Sequence, residues 1–483
     1  MNSRTVLWLV GITVGAVVLA QGAALAVALA LGEPWQAFAI SIGTGLAVSG
    51  LLILPARGGR LALDHRSAFL AVTLSWLGAA ICGAGPYIHH PAVDLGLVDA
   101  LFESTSGFTT TGASVLSGLD SLPRSLLLWR AFTQWFGGIG VVLLGVAVFP
   151  ILGLGGMQLY RAEAPGPTKD KITPRIAETA QLLWVLYLGL TIADGVLLIV
   201  GGMSPFDAIC HAMATISTGG FSTHDASLAH WNSGFIHVVT TVFMLLGGMN
   251  FAILQRALTG RFSWRDTPEL RLYLGIVAAA TLLMTLDLLA RRPEAFATTS
   301  DALEHALFQT ASIVTTTGFA TRNFDAWPAL SHAVFLVLFL VGGMAGSTGG
   351  GLKVVRVLLT VRIAFGQFFR LVHPRGFSAI RLGPRTVDES ALMGVLGFVA
   401  MYVLLLLAGT GLLASYGSDL MTSLSAAAVT LGNVGPGFGA AGPSHTYASF
   451  APGAKLCMTA LMILGRLEIY TVLVILTPGF WRR

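Results

Sequence analysis

The chain has 483 residues, of which 54% are hydrophobic and only 11% are charged, and its formal net charge is +5. Soluble globular proteins contain about 25% charged residues, so this composition excludes an ordinary soluble enzyme and also a disordered chain. The 58 glycines follow no collagen period, and three scattered cysteines, Cys82, Cys210 and Cys457, indicate neither a disulfide framework nor a zinc site. The composition predicts a helical protein that crosses a membrane many times.

Ten apolar runs are long enough to cross a bilayer, which takes about 20 residues. The first is too long for the apolar part of a signal peptide and another run follows at once, so we expect it to be retained. In chain order the runs are Thr5–Leu31, Trp35–Leu54, 67–85, 126–152, 176–201, 231–254, 269–289, 329–345, 390–415 and 453–478.

The charges predict the orientation of these spans. If the N-terminus is cytoplasmic, 21 of the 28 Lys and Arg residues lie inside, six lie outside, and Arg466 lies within a span. The positive-inside rule therefore places both termini in the cytoplasm. Acidic residues bring the outer side to −6 and the inner side to +13. An acidic outer face concentrates cations, although the same distribution arises if acids merely avoid the basic inner loops.

Four shorter apolar segments lie between consecutive spans, at 99–111, 207–218, 301–317 and 419–431. They are too short to cross the bilayer, which favours re-entrant segments. Each begins with an acid that can cap a short helix, namely Asp99, Asp207, Asp301 or Glu304, and Asp419. Each then ends in hydroxyl residues and a glycine, which we align as Gly112, Gly219, Gly318 and Gly432.

This self-similarity predicts an all-α fold with four helix–pore loop–helix repeats around one pore, preceded by two extra transmembrane helices. The predicted units are 1–60, 61–160, 161–260, 261–385 and 386–483. Backbone carbonyls aimed at an axis can replace the water of a monovalent cation, and glycine accepts the backbone geometry that this requires. Threonine and serine hydroxyls in the same loops can add further oxygen ligands.

Six motifs carry a resemblance to a known family: SGFTTTGAS at 106–114, ATISTGGFST at 214–223, TTTGFATRNFD at 315–325, TLGNVGPGFG at 430–439, GGMAGSTGGGLKVVR at 342–356 and MILGRLEIYT at 462–471. The chain resembles the Trk/Ktr/HKT superfamily of potassium transporters, and within it the bacterial TrkH/TrkG branch, over nearly its whole length. The extra N-terminal helices resemble a domain that the Ktr branch lacks.

The resemblance implies a K⁺ selectivity filter with one strand from each repeat. Glycine at all four aligned positions favours K⁺ over Na⁺, because some plant relatives with serine at the first position favour Na⁺. The predicted filter residues, whose backbone carbonyls would bind K⁺, are Thr110, Thr111, Gly112, Ser217, Thr218, Gly219, Thr316, Thr317, Gly318, Thr430, Leu431, Gly432 and Asn433.

A gate is predicted where glycines interrupt the second helix of the third repeat at 342–351. Each glycine costs a helix about 1 kcal/mol relative to alanine, so this stretch favours a loop, although close helix packing through small residues is the alternative. The predicted gate residues are Gly346, Ser347, Thr348, Gly349, Gly350, Gly351 and Arg466. Arg466 is the only basic residue inside a span, and the resemblance implies that it is an electrostatic barrier; a structural salt bridge is the alternative. Asp194 and Asp287, also within spans, receive no role.

The inner segment 353–385 holds seven basic residues interleaved with Phe365, Phe368, Phe369 and Phe377. It could contact anionic lipid head groups, or dock the cytosolic TrkA-type nucleotide-binding subunit that the resemblance implies. The resemblance also implies a homodimer with one pore in each protomer. The chain has no Walker A motif and no dinucleotide fingerprint, so we expect it to bind no cofactor itself, and no nucleic-acid motif is present.

Two other function classes remain as alternatives to a gated K⁺ uptake pore. A symporter that couples K⁺ to H⁺ or Na⁺ would favour a cluster of titratable residues inside the membrane, and the spans offer only Asp194, Asp287, Arg466 and Glu468. A membrane enzyme would have to use histidines, for which the candidates are His89, His90, His211 and His305. These show no HExxH spacing and no paired acid, so transport is the favoured class.

Overall fold

The computed structural model describes residues 2–56, 64–147, 172–292, 294, 296, 298–373, 379–383 and 385–482. Parts of three predicted inner loops and the end of the fourth predicted span lie outside these ranges, and so does Phe377. The described chain is mainly helical, as predicted. Strands β1 (Arg381–Leu382) and β2 (Arg385–Thr386) pair as a short antiparallel hairpin.

Two N-terminal helices, α1 (Ser3–Leu31) and α2 (Gln36–Ile53), pack against each other and against the first helix of the following unit. Helix α1 ends at Gly32, whose left-handed backbone (φ 68°) caps the last carbonyls. Small residues let the helices approach closely, because a Cβ on Gly45 would lie only 2.5 Å from Val18.

The rest of the described chain forms four units, each with a short helix packed against the helices that precede and follow it. The first unit contains α3 (His65–His89), α4 (Leu97–Phe108) and α5 (Arg124–Ala147). The second contains α6 (Ile172–Val200), α7 (Pro205–Ile216), α8 (Gly234–Gly247) and α9 (Phe251–Leu258). The third contains α10 (Pro268–Arg291), α11 (Thr299–Val314), α12 (Ala329–Leu338) and α13 (Val354–Val372). The fourth contains α14 (Glu389–Ser415), α15 (Leu420–Leu431), α16 (Pro452–Arg466), α17 (Tyr470–Leu473) and α18 (Pro478–Trp481).

The four units close into a ring through their short helices. Helix α5 packs against α7 of the second unit, α8 against α11 of the third, and α16 against α4 of the first. Between the third and fourth units, the rings of Phe339 and Phe438 lie 5.3 Å apart. The short helices have 12 to 16 residues, or about 18–24 Å, which is too short to cross about 30 Å of hydrocarbon.

The prediction of an all-α protein with many apolar spans is confirmed. Among the described residues, seven helices are long and apolar enough to cross a membrane, and two bent pairs raise that number to nine. The pairs α8–α9 and α16–α17 with its 3₁₀ extension each bend by 107°. In the predicted span 329–345, α12 ends at Leu338 and a loop follows, so the count of ten spans stays a prediction.

Candidate functional site

The loop that follows each short helix has the same backbone conformation in all four units. A non-glycine residue with positive φ comes first, and a glycine with positive φ follows two residues later. The first positions are Thr110 (51°), Thr218 (53°), Thr316 (61°) and Asn433 (55°), and the second are Gly112 (80°), Gly220 (76°), Gly318 (85°) and Gly435 (99°). We call residues 109–113, 217–221, 315–319 and 432–436 the filter loops.

This backbone register differs from the sequence alignment in two of the four loops. It aligns Gly220 and Gly435, rather than Gly219 and Gly432, with Gly112 and Gly318. The amide of Gly219 bonds to the carbonyl five residues before it, as the amides of Thr111, Thr317 and Val434 do, which fixes the equivalence. The sequence alignment was ambiguous because Gly219 and Gly220 are adjacent, and because the fourth loop has glycines at both 432 and 435.

The fourth loop was therefore placed too early in the sequence alignment. Thr430 and Leu431 lie in the last turn of α15, and Gly432 caps it with an ordinary φ of −79°. The hydroxyl of Thr430 donates to the Ala426 carbonyl of its own helix at 2.6 Å, which uses its proton inside the helix. Asn433 occupies the left-handed position, which asparagine tolerates better than most residues.

The four second-position glycines form a closed ring of contacts. A Cβ on Gly112 would overlap the carbonyl oxygen of Gly219, and one on Gly220 that of Thr317. A Cβ on Gly318 would overlap the Val434 carbonyl, and one on Gly435 would lie 2.5 Å from the Thr111 carbonyl. Each loop thus presses its glycine against the backbone of the next unit, and the fourth returns to the first.

The backbone of this ring is strained at the non-glycine residues with positive φ. A β-branched residue with positive φ is a genuine outlier, and such residues cost about 1–3 kcal/mol each. Thr110, Thr218 and Thr316 are all fully buried, so the surrounding contacts must impose the conformation. Asn433 joins the fourth unit to the first, because its amide donates to the Thr111 hydroxyl at 3.1 Å and to the Met462 carbonyl at 2.9 Å.

Polar side chains to which the sequence analysis gave no role in the filter support the segments that follow the loops. Glu103, His211 and Gln309 occupy equivalent positions, seven residues before the strained residue of their unit. Glu103 accepts from the Val115 amide (2.9 Å), His211 contacts the Ser222 hydroxyl (3.0 Å), and Gln309 donates to the Phe319 carbonyl (3.2 Å). The sequence could have revealed these residues, because a polar residue recurs at the same position of three otherwise apolar short helices.

A buried ion pair within the first unit lies beside these loops. The guanidinium of Arg130 lies 3.0 Å from the Glu103 carboxylate, and both side chains are almost wholly buried. Arg130 also reaches the second unit, because it donates to the Ser222 carbonyl at 2.9 Å and lies over the ring of Phe221. Removing either partner of the ion pair would leave an uncompensated buried charge, so the pair holds Arg130 where it contacts the second unit.

A cavity of about 110 Å³ lies on one side of the ring, and all four second-position glycines contribute to its lining. We call it the outer cavity, because the loops around it, such as 113–123 and 221–233, fall on the predicted outer side. His224, Asp225 and His445 also line it.

The predicted gate lies on the other side of the filter loops, in residues 342–351, which we call the gate loop. Thr348 is fully buried and donates to the Gly247 carbonyl at 2.9 Å, while its amide bonds to the same oxygen. The Gly350 amide donates to the hydroxyl of Thr316 at 2.7 Å, and a Cβ on Gly350 would overlap the Gly432 carbonyl. The hydroxyl of Thr218 also donates to that of Thr348 at 3.3 Å, so the loop contacts three of the filter loops.

Arg466 joins the gate loop to the first unit. Its guanidinium donates to the Thr348 carbonyl at 2.7 Å and to the Gly137 carbonyl at 3.1 Å, and its side chain is buried. Glu468 does not pair with it. A strained turn at Glu468 and Ile469 (φ 62° and 45°) turns Glu468 toward Arg356, with which it forms an ion pair.

Glu269 is a further contact of the gate loop that the sequence analysis missed. One of its carboxylate oxygens accepts from the Ala345 amide at 2.8 Å and from the Val355 amide at 3.1 Å. Ala345 lies within the loop and Val355 in the first turn of α13, so this buried carboxylate ties the loop to the helix that follows it. Lys353 donates to the Gly349 carbonyl within the loop.

The acids that begin the short helices occupy two kinds of position. Asp419 is the N-cap of α15 and accepts from the Thr422 amide, as predicted. Asp99, Asp207 and Asp301 lie inside the first turn instead, where a negative charge still opposes the helix dipole. Serine and threonine take the cap positions of α7 and α11.

The histidines proposed for an enzyme serve as hydrogen-bonding residues in this part of the chain. His211 contacts the Asp207 carbonyl (2.8 Å) and the Ser222 hydroxyl, and His305 contacts the Thr321 hydroxyl (2.8 Å). Both therefore hold the segments that follow filter loops.

The long apolar helices, with a ring of four strained glycine loops among them, define a multi-pass membrane protein. The chain belongs to the TrkH family of cation transport proteins, whose family model matches residues 35–479. The family resemblance drawn from the motifs is thereby confirmed. This is a family of transporters, so the function it supports is transport rather than catalysis.

Individual relatives support the same assignment. The chain is 43% identical over 451 residues to the Trk system potassium uptake protein TrkH of Salmonella typhimurium, covering 92% of both chains. It is 35% identical over 433 residues to the Trk system potassium uptake protein TrkG of Escherichia coli K12, covering 87% of this chain and 86% of the relative. The crystal structure of the potassium transporter TrkH from Vibrio parahaemolyticus superposes over the full length of both chains with a TM-score of 0.90 and 38% identity.

Proposed function

We propose that this protein takes up K⁺ across a bacterial inner membrane through a gated, channel-like pore. The observation that carries the proposal is the closed ring of filter-loop glycines, because it brings backbone from four units to one axis. Carbonyl rings of this kind replace the hydration shell of K⁺. The names of the relatives, which are potassium uptake proteins, support the same ion.

The proposed filter comprises the filter loops in their structural register. It retains Thr110, Thr111, Gly112, Ser217, Thr218, Gly219, Thr316, Thr317, Gly318, Gly432 and Asn433, and it adds Gly220, Val434 and Gly435. Thr430 and Leu431 contribute through the helix end that they form. The C-termini of the four short helices, which carry the negative end of the helix dipole, end at these loops and favour a cation.

The proposed gate is the gate loop together with Arg466. Gly346, Ser347, Thr348, Gly349, Gly350 and Gly351 lie beneath the filter loops and obstruct the path that leaves them. Arg466 adds a fixed positive charge whose hydrogen bonds to Thr348 and Gly137 hold the loop in place. Opening would require these contacts to break together, which suits a two-state gate.

Cytosolic partners belong to the same proposal. Helix α13 continues directly from the gate loop and exposes Phe365 and Phe368, with exposed fractions of 67% and 64%. A TrkA-type nucleotide-binding subunit that contacts this helix could move the gate loop through it, and the basic residues nearby would favour anionic lipid. We also propose that the protein is a homodimer with a pore in each protomer and cytoplasmic termini.

One observation favours the alternative, K⁺ coupled to H⁺ or Na⁺ in a symporter. Asp194 is fully buried in α6, and its carboxylate oxygens have no hydrogen-bond partner among the described residues. A buried intramembrane acid can carry a proton. Asp287, by contrast, accepts from the Ser331 amide and hydroxyl at 2.9 and 2.7 Å, which fixes it as a packing contact.

The test is the reversal potential of the purified protein in liposomes. We expect K⁺ and Rb⁺ to pass down their gradients with a reversal potential that follows K⁺ alone. A fixed proton stoichiometry that disappears in Asp194→Asn would establish the symporter instead. Equal permeation of Na⁺ and K⁺ would contradict the proposed filter.

A further inference from the structure

Three side chains from two units meet at the edge of the outer cavity, and the proposed function uses none of them. Asp120 belongs to the 3₁₀ turn Leu119–Ser121 of the first unit, and His230 to the 3₁₀ turn Ser227–His230 of the second. His224 lies between them and lines the cavity. One carboxylate oxygen and one nitrogen from each imidazole all lie within 4.8 Å of one another.

The backbone holds the two loops of this cluster in register. Nδ1 of His224 is hydrogen-bonded to the Asp120 carboxylate. The amide of Asp225 donates to the other oxygen of Asp120 at 3.3 Å, and the amide of Leu119 donates to the Asp225 carboxylate at 3.2 Å. These hydrogen bonds tie the loop of the first unit to the loop of the second.

The two imidazoles face each other. Their ring centroids lie 3.6 Å apart with an interplanar angle of 12°, and the edge of Trp231 packs against both. On the far side of His224, the carboxylate of Asp207 lies 3.7 Å from Nε2. A carboxylate beside the second nitrogen is the usual neighbour of a histidine that binds a metal through its first nitrogen.

We propose that Asp120, His224 and His230 form a binding site for a divalent transition-metal ion of the Zn²⁺ class at the outer mouth of the pore. Two imidazoles and one carboxylate are ligands that Zn²⁺, Ni²⁺ and Cu²⁺ accept, whereas Mg²⁺ and Ca²⁺ prefer oxygen alone. A fourth position would remain open to water.

Binding requires a small rearrangement of the side chains. A metal lies in the plane of an imidazole at about 2.0–2.1 Å from nitrogen, so two stacked rings cannot both reach it without turning. His230 is exposed and can turn. A metal bound by both Nδ1 of His224 and the Asp120 carboxylate replaces the hydrogen bond between them, so these two groups move apart as the proton leaves. The amides of Asp225 and Leu119 already hold the two loops together.

A metal in this site would act on the pore through its charge. Because His224 lines the outer cavity, the ion would add two positive charges at the entrance used by K⁺. The field of an exposed charge extends about 8 Å at physiological ionic strength, so external metal should reduce K⁺ entry. This consequence rests on the proposed function, whereas metal binding itself does not.

The first test is a binding titration of the full-length purified protein with Zn²⁺, with Co²⁺ absorption as a second readout. We expect the protein to bind one Zn²⁺ per chain at micromolar concentration. In His230→Ala the affinity should fall at least tenfold, because losing even a residue that only hydrogen-bonds to a metal ligand costs about tenfold or more. The matched control is His445→Ala, because His445 is also exposed and lines the same cavity. It should retain wild-type affinity.

The second test is K⁺ flux in liposomes with Zn²⁺ added on one side, expressed relative to the flux of the same variant without Zn²⁺. External Zn²⁺ should reduce flux in the wild type and in His445→Ala, and have little effect in His230→Ala. No Zn²⁺ binding by the wild type, or equal binding by His230→Ala, would overturn the site. A protein that binds Zn²⁺ through His230 but passes no K⁺ would retain the metal site and refute the proposed function.

Discussion

The filter loops and the gate loop lie next to each other but are held in different ways. Each filter loop presses a glycine against the backbone of the next unit, and this contact recurs four times around the ring. The gate loop occurs once, and separate contacts hold it, among them Thr316, Arg466 and Glu269. A symmetric backbone ring has no element that can move alone, whereas the gate loop is a single segment whose contacts can break while the ring stays closed.

The helices that follow the filter loops also differ between the units. In the first, second and fourth units, a glycine of that helix packs against the last carbonyl of the short helix; these glycines are Gly137, Gly247 and Gly465. In the third unit, Gly342 meets the gate-loop backbone at Gly350, and Gly349 approaches the Thr315 carbonyl instead. The gate loop thus takes the place that a helix fills elsewhere, and the proposed gate depends on this difference.

The largest expected effect is at the ring. Gly435→Ala would place a Cβ 2.5 Å from the Thr111 carbonyl at a φ of 99°, so we expect loss of K⁺ selectivity and a lower unfolding temperature. Gly432→Ser is the matched variant, because Gly432 has a negative φ and its nearest contacts are at 2.9 Å. It should weaken K⁺ over Na⁺ selectivity less. A stronger effect at Gly432 in liposome flux would restore the original sequence alignment of the loop.

An intermediate effect is expected at Arg466. Arg466→Ala removes a buried positive charge and two hydrogen bonds that hold the gate loop, so K⁺ flux should rise. Arg466→Lys keeps the charge but loses the two-pronged geometry, and its flux should lie between those of the wild type and the alanine variant. A fall in flux, with monodisperse and thermally stable protein, would contradict the barrier role.

The smallest effect is expected from a single hydroxyl. Thr316→Val keeps the shape of the side chain but leaves the Gly350 amide without its acceptor. A hydrogen bond of this kind contributes about 1 kcal/mol, so the open gate should become up to about fivefold more populated. Thr316→Ser retains the hydroxyl and should behave as the wild type in single-channel recordings. Equal open probability in all three proteins would show that this bond does not hold the gate loop.

Much of the molecule followed from the sequence. Long apolar runs identified the spans because bilayer thickness sets their length, and four similar segments predicted the four units. The gate loop followed from the glycines at 342–351, which disfavour a helix. The place of Arg466 beside that loop was given by the family resemblance, and the structure supplies its two carbonyl partners.

The exact register of two filter loops required the tertiary structure. Glycine spacing alone cannot distinguish Gly219 from Gly220, or Gly432 from Gly435, because each pair offers two glycines within reach of one turn. Only the contact of each loop with the next unit selects one, and those contacts join residues about 100 or more positions apart. The partners of Arg130, Glu269 and Glu468 were hidden for the same reason.

The sequence by itself determined that the chain is helical with long apolar runs and that four similar segments recur, because these properties depend on local composition. From the same properties it predicted the orientation and a path lined by the four segments. The tertiary structure decided which backbone positions close the ring, what holds the gate loop, and that Asp120 meets His224 and His230. Each of these depends on side chains and carbonyls from different units, and no local pattern encodes how separate units meet.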